Sequence, residues 1–231
     1  MSIFDLLYPK RCTGCNKSGT YFCAKCITGA KLHFPQVCPV CERPAVDGAT
    51  HTRCKKGLVP DGLTSIWAYE GVPRKLISKL KYKYVVEVVL SLASPVGGTL
   101  KNWTRSSLSA PEWQSSGFCI VPIPLHWTRN NRRGFNHAEE IAKILAQIMQ
   151  WRVASPLRRK KMTGSQVGLK EKEREKNIKD AFVLDSDHLI PKSSKILLFD
   201  DVWTSGSTMK EAVKVLKKAG FNRVWCLTLA R

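Results

Sequence analysis

Two adjacent acids, Asp200 and Asp201, follow the apolar run Ile196-Leu197-Leu198-Phe199, and the loop Thr204-Ser205-Gly206-Ser207-Thr208 comes just after them. Carboxylates accept hydrogen bonds from a sugar diol. Loop N–H groups, serine and threonine hydroxyls and a helix N-terminus together cradle a phosphate. A strand, an acid pair, a small-residue loop and a helix start in that order suit a sugar phosphate.

The cysteines carry the second chemistry. Seven of nine lie in the first 54 residues, as Cys12-x-x-Cys15, Cys23-x-x-Cys26, Cys38-x-x-Cys41 and the variant His51-x-x-Cys54. Each turn offers two ligands to one ion, and two turns close a tetrahedral zinc site. In the sequential scheme Cys12, Cys15, Cys23 and Cys26 hold one zinc, and Cys38, Cys41, His51 and Cys54 the other. An interleaved scheme pairs the first turn with the third. The short spacers between turns suit small ribbons and favour the sequential scheme. Four protein ligands leave no position for water, so both sites are expected to be structural. So short a segment cannot bury enough apolar surface alone, and metal binding should supply its folding energy. On this reading chelation unfolds residues 1–56 and leaves the rest folded.

Two basic segments could meet anions. Arg129, Arg132 and Arg133 crowd the stretch before a helix start, and guanidinium forks bind phosphate oxygens bidentately; the alternative is an exposed basic loop. Farther on, Arg158-Arg159-Lys160-Lys161 leads into Thr163-Gly164-Ser165-Gln166 and a charged helix over 170–176. Such a loop could close over an anionic ligand and exclude water, or track a nucleic-acid backbone. Glu171, Glu173 and Glu175, alternating with bases, read as a solvated helical face.

The elements that must position these groups follow from periodicity. Strands are expected over Leu63–Tyr69, Phe118–Val121, Ala181–Leu184, Lys195–Asp201 and Arg223–Leu229. Helices are expected over Pro73–Lys83, Val85–Leu92, Asn136–Met149 and Ser207–Ala219, with a surface loop over 104–117. In the 136–149 helix, Ile141, Ile144, Leu145 and Ile148 fall on one face. Met209, Ala212, Val213 and Leu216 do the same in the last helix, which Gly220 stops. Cys119 and Cys226 read as small core residues. Alternating strands and helices define an α/β fold with a mostly parallel sheet covered on both faces, whose ligands bind beyond the carboxyl ends of the strands. A composition change near 55–61 divides the chain into a small module, 1–57, and a larger domain, 58–231.

Composition bounds the function. With 43% hydrophobic and 24% charged residues the chain is of the soluble globular kind. Its net charge of +20 favours a polyanionic partner such as nucleic acid or a pyrophosphate-rich ligand. Met1–Arg11 has no long apolar stretch of the secretory kind, and Val85–Leu92 is too short to span a bilayer, so a cytoplasmic protein without membrane insertion is expected.

The Asp200–Thr208 run resembles the ribose-5-phosphate loop of type I phosphoribosyltransferases. The chain as a whole resembles the competence protein ComF family over nearly all 231 residues. The resemblance rests on the double zinc ribbon, Arg133-Gly134-Phe135-Asn136, Gln166, Asn177 before Ala181-Phe182, and the final loop. It implies a type I phosphoribosyltransferase-like domain, 58–231, behind a double zinc ribbon, 1–57. It implies 5-phosphoribosyl 1-pyrophosphate (PRPP) as ligand, with Mg²⁺ on its pyrophosphate. Asp200 and Asp201 would take the ribose hydroxyls, and Thr204, Ser205, Gly206, Ser207 and Thr208 the 5′-phosphate. The segment with Arg129, Arg132 and Arg133 occupies the place of the pyrophosphate loop. Thr204 stands where purine-salvage relatives often carry an acid, so purine salvage is disfavoured and no catalytic residue is assigned. The family implies a role in uptake of single-stranded DNA during natural transformation, with a DNA-uptake helicase or other competence proteins as partners. A metabolic transferase on a small base or amine, or a non-catalytic PRPP sensor, are the alternatives.

Overall fold

In the computed structural model, residues 9–80, 88, 89, 92, 95–101, 118–125, 135–161, 171–185, 187 and 190–231 are described. Arg129, Arg132 and Arg133, the 104–117 loop and Gln166 lie outside them. Of Val85–Leu92, residues 88, 89 and 92 are described, helical and buried.

A five-stranded sheet forms the centre. Its strands are β1 (Gly62–Trp67), β2 (Phe118–Pro122), β3 (Arg152–Val153), β6 (Lys195–Val202) and β7 (Val224–Ala230). They lie in the order β1-β7-β6-β2-β3, and every neighbouring pair is parallel. The strand that leads to the acid pair is the central one, and the last strand lies inside the sheet between β1 and β6.

Both faces of the sheet are buried, as continuous apolar runs require in a parallel sheet. Along β6, Leu197 and Phe199 enter one core with Trp67, Leu145 and Leu227, while Ile196 and Leu198 enter the other with Val121, Leu216 and Cys226. The His137–Met149 helix covers the first face with Ala138, Ile141, Ala142 and Leu145. The Ser207–Lys218 helix covers the second with Met209, Ala212, Val213 and Leu216. It ends at Gly220, whose φ of +94° suits a residue without Cβ.

One expected strand belongs elsewhere. β5 (Phe182–Leu184) leaves the parallel sheet and pairs antiparallel with β4 (Leu157–Arg159). The stretch read as the start of a closing loop is therefore partly a strand. The helix Glu171–Ile178 precedes β5, and Glu173 and Glu175 on it are exposed, as expected of a solvated face. Glu211 of the Ser207–Lys218 helix accepts a 2.9 Å hydrogen bond from the Asp180 N–H, which ties this ribbon to the main body.

The N-terminal module lies along the outer edge of β1. Gln36 donates from its amide to the Ser65 carbonyl and accepts from the Ser65 N–H, both at 2.9 Å. The His33 N–H donates to Ile66 O, the Ala68 N–H to Lys31 O and the Thr50 N–H to Asp61 O. Antiparallel bridges join Leu32 to Trp67 and Ala49 to Gly62. Phe22 meets Trp67 edge to face at 6.0 Å and is part of the first core. An open strand edge is a template for association, and here residues 31–50 cover it. No helix of the described residues is long and apolar enough to cross a membrane.

Candidate functional site

The connections after β2 and β6 run in opposite directions. β2 leads through the His137–Met149 helix to β3 on one side, and β6 leads through the Ser207–Lys218 helix to β7 on the other. The crevice between the carboxyl ends of β2 and β6 is thus the point where the strand order reverses, the usual place for ligands in such sheets. Asp200 and Asp201 stand there, one and two residues beyond the Pro122↔Phe199 pairing. Both helices begin at this edge of the sheet, so their positive ends flank it.

The geometry of the acid pair is set locally. The Asp201 N–H donates to Asp200 Oδ1 at 2.9 Å, and the Val202 N–H donates to Asp201 Oδ1 at 2.8 Å. Burial and the adjacent Asp201 charge push the Asp200 carboxyl well above the ordinary carboxylate range; the Asp201 N–H and the Arg159 guanidinium oppose this. Asp201 Oδ2 lies 3.3 Å from His137 Nε2, and both side chains are largely enclosed.

The loop behind the acids is built around Gly206, at φ +70°. A Cβ there would overlap the Trp203 indole ring. Trp203 is buried beneath the loop, and its backbone N–H donates to Ala230 O at 2.9 Å. Lys210 lies 5.6 Å over the Trp203 ring and donates to Ser205 O at 3.0 Å. The Ser205 and Ser207 hydroxyls are 2.9 Å apart, and Thr204 is exposed. Gly206→Ala adds left-handed strain of about 1–2 kcal/mol and an overpacking cost of about 1–3 kcal/mol. Gly220→Ala supplies the control, because it has similar φ but only Lys192 Cδ at 3.9 Å nearby. Urea denaturation should find Gly206→Ala clearly the more destabilised; equal losses would mean that Trp203 yields freely.

The eight expected metal ligands come together in two groups, in the sequential pairing. Ligand atoms of Cys12, Cys15, Cys23 and Cys26 lie within 4.8 Å of one another, as do those of Cys38, Cys41, His51 and Cys54. His51 Nδ1 is 3.3 Å from Cys41 Sγ, and Nε2 is 3.1 Å from Pro44 O. An Nε2–H donating to that carbonyl leaves Nδ1 free to bind metal, the usual outer support of a zinc histidine. Burial alone would raise the Cys12 thiol. N–H groups of Cys23, Cys15 and Gly14 and the Cys23 thiol outweigh it and bring Cys12 down to about 6. In the same cluster, burial and the three neighbouring cysteines push Cys26 up to about 12. Four thiols that cannot all ionise together are the donor set a divalent cation resolves. Both sets fit zinc in a structural, four-ligand role.

Asp200, Asp201 and Thr204–Thr208 are brought to one crevice; Arg129, Arg132 and Arg133 lie outside the described residues. Three neighbours escaped the sequence reading. His137 looked like an ordinary helix residue. Arg159 looked like loop charge, yet it is buried in β4 and its charge is felt at Asp200. Lys210 looked like one of the exposed lysines of an amphipathic helix.

Fold and metal clusters together define a class, a double zinc ribbon joined to a phosphoribosyltransferase domain. Residues 3–56 match the model of the double zinc ribbon domain, and residues 131–231 that of the phosphoribosyl transferase domain. The chain is 29% identical to Competence protein F of Haemophilus influenzae over 228 residues, covering 95% of this chain and 90% of that one. It is 24% identical to Competence protein ComFC of Bacillus subtilis, covering 86% and 78%, and 24% identical to Competence protein ComFC of Streptococcus pneumoniae, covering 90% and 87%. A solved structure of the allosteric regulatory enzyme of purine biosynthesis overlaps 66% of this chain and 30% of its own, at TM-score 0.39 and 13% identity. Over most of its length the chain is thus similar to competence proteins F and ComFC, and it carries a double zinc ribbon and a phosphoribosyl transferase domain.

Proposed function

We propose that the crevice between β2 and β6 binds PRPP with Mg²⁺, and that the protein acts in single-stranded DNA uptake in natural transformation. The observation that carries the ligand is the placement of the acid pair and the Gly206 loop at the strand-order reversal. Asp200 and Asp201 accept from the ribose hydroxyls. Thr204, Ser205, Gly206, Ser207 and Thr208 surround the 5′-phosphate at the start of the Ser207–Lys218 helix. Arg129, Arg132 and Arg133 meet the pyrophosphate, whose charge Mg²⁺ would help neutralise. The exposed hydroxyl of Thr204 offers no acid or base to an acceptor, and this favours binding over purine transfer. The DNA role is supported by the names of the relatives and by the net charge of +20.

Calorimetry with PRPP and Mg²⁺ should find binding by the wild type and none by the Asp200→Asn, Asp201→Asn double variant. No binding by the wild type would remove the ligand assignment. Pyrophosphate release on adding a small base or amine would replace it with a metabolic transferase, and tight binding without turnover in any assay would favour a sensor. Single-stranded DNA binding, followed in parallel, should weaken steeply with salt.

A further inference from the structure

The acid pair has a neighbour from outside its own strand. His137 begins the helix on the opposite wall of the crevice, and its side chain is 6% exposed. The preceding Asn136 holds that helix start in place: its carbonyl oxygen accepts from the Ala138 N–H, and its amide donates to Ile123 O just beyond β2. The ring is therefore delivered by a rigid element. Asp201 has the Val202 N–H on Oδ1 and His137 Nε2 beside Oδ2. With a neighbour at each oxygen, its carboxylate plane is set from two sides.

The other ring nitrogen argues against a purely structural role. His137 Nδ1 is buried without a hydrogen-bond partner among the described residues. A buried polar atom left unsatisfied is destabilising, and an apolar side chain of similar volume would avoid this. What the imidazole supplies that leucine would not is the contact to Asp201.

We propose that His137 is a positioning residue that aims Asp201 at a ribose hydroxyl of the bound sugar phosphate. The inference rests on the sugar-phosphate reading of the crevice. It predicts that His137 matters for ligands with a ribose and not for ligands that touch only the loop around Gly206.

The test is equilibrium titration of the full chain with three probes: PRPP with Mg²⁺, ribose 5-phosphate and inorganic phosphate. His137→Ala should weaken both sugar phosphates about tenfold, the size of one charge-assisted contact, and leave inorganic phosphate unchanged. His137→Gln, whose amide can donate over a similar reach, should recover most of the loss. His137→Leu fills the space without a polar atom and should behave like Ala, so it serves if the Ala variant does not fold. Unchanged ribose 5-phosphate binding in His137→Leu would overturn the inference and leave the crevice reading intact. Equal losses for ribose 5-phosphate and inorganic phosphate would also overturn it, as would failure of Gln to recover. If the wild type binds neither sugar phosphate, the crevice reading itself falls, and the inference with it.

Discussion

Asp200→Asn should abolish PRPP binding and raise the melting temperature in the same protein. The side chain is placed where its charge is penalised, first by burial and then by Asp201, with only partial relief from the Asp201 N–H and Arg159. Its folded-state pKa lies above that of the unfolded chain. Between the ordinary carboxylate range and the raised value the folded state therefore binds more protons, and stability falls as pH rises through that window. Above the window the full penalty is present; below the ordinary range it vanishes. Asn keeps the Oδ1 that accepts from the Asp201 N–H, and it removes the charge. Each kcal/mol relieved should appear as roughly 2–4 °C in a chain of this size. Urea denaturation of wild type and variant across pH checks the sign. The variant should gain most at neutral pH and nothing in acid; a variant less stable at neutral pH would reverse the account. A site that gives up stability for a preorganised polar group is a common pattern where function and stability compete.

Metal removal should have the largest effect, and it should not stop at residue 56. Reading the sequence alone, chelation frees a self-contained module. In the fold, residues 31–50 pair with β1, and Phe22 packs on Trp67. Structural zinc in small ribbons contributes about 10–16 kcal/mol of apparent binding free energy, so its loss should release that pairing. Hydrogen exchange after chelation should rise at residues 62–67 as well as through the ribbon, and the exposed edge should promote self-association detectable by light scattering. Cys41→Ser, in the cluster beside the β1 contacts, should free β1 more than Cys15→Ser, which loosens the end carrying Phe22. Protection kept at residues 62–67 while the ribbon exchanges freely would restore the independent module.

The parts legible in the sequence are those written in local pattern. Ile196-Leu197-Leu198-Phe199 could only be a strand buried on both faces, and Met209, Ala212, Val213 and Leu216 could only face a core. Cysteine spacing carried the metal clusters, because two ligands three residues apart share one turn. Partner choice is written nowhere locally. Phe182-Val183-Leu184 looks the same whether its neighbour is β6 or β4, and in Leu157-Arg158-Arg159 the residue that points inward with Leu157 is an arginine. Apolar alternation hides such a strand by construction. His137 carried no signal either, since its role depends on a carboxylate 64 positions away that only the crossover brings near. Gln36 is a similar case, a side-chain amide that stands in for a strand residue at the edge of β1.

The sheet order also sets a timetable for synthesis. β1 is made early, yet its partner inside the sheet is β7, and the hydroxyls of Ser65 and Thr228 meet across 163 residues of chain. At 5–20 residues per second, roughly 8–30 s separate the two strands at the ribosome. The segment that covers the other edge of β1 is already finished when β1 emerges. The ribbon segment that pairs with the outer edge of β1 is therefore complete before β7 can pair with its inner edge.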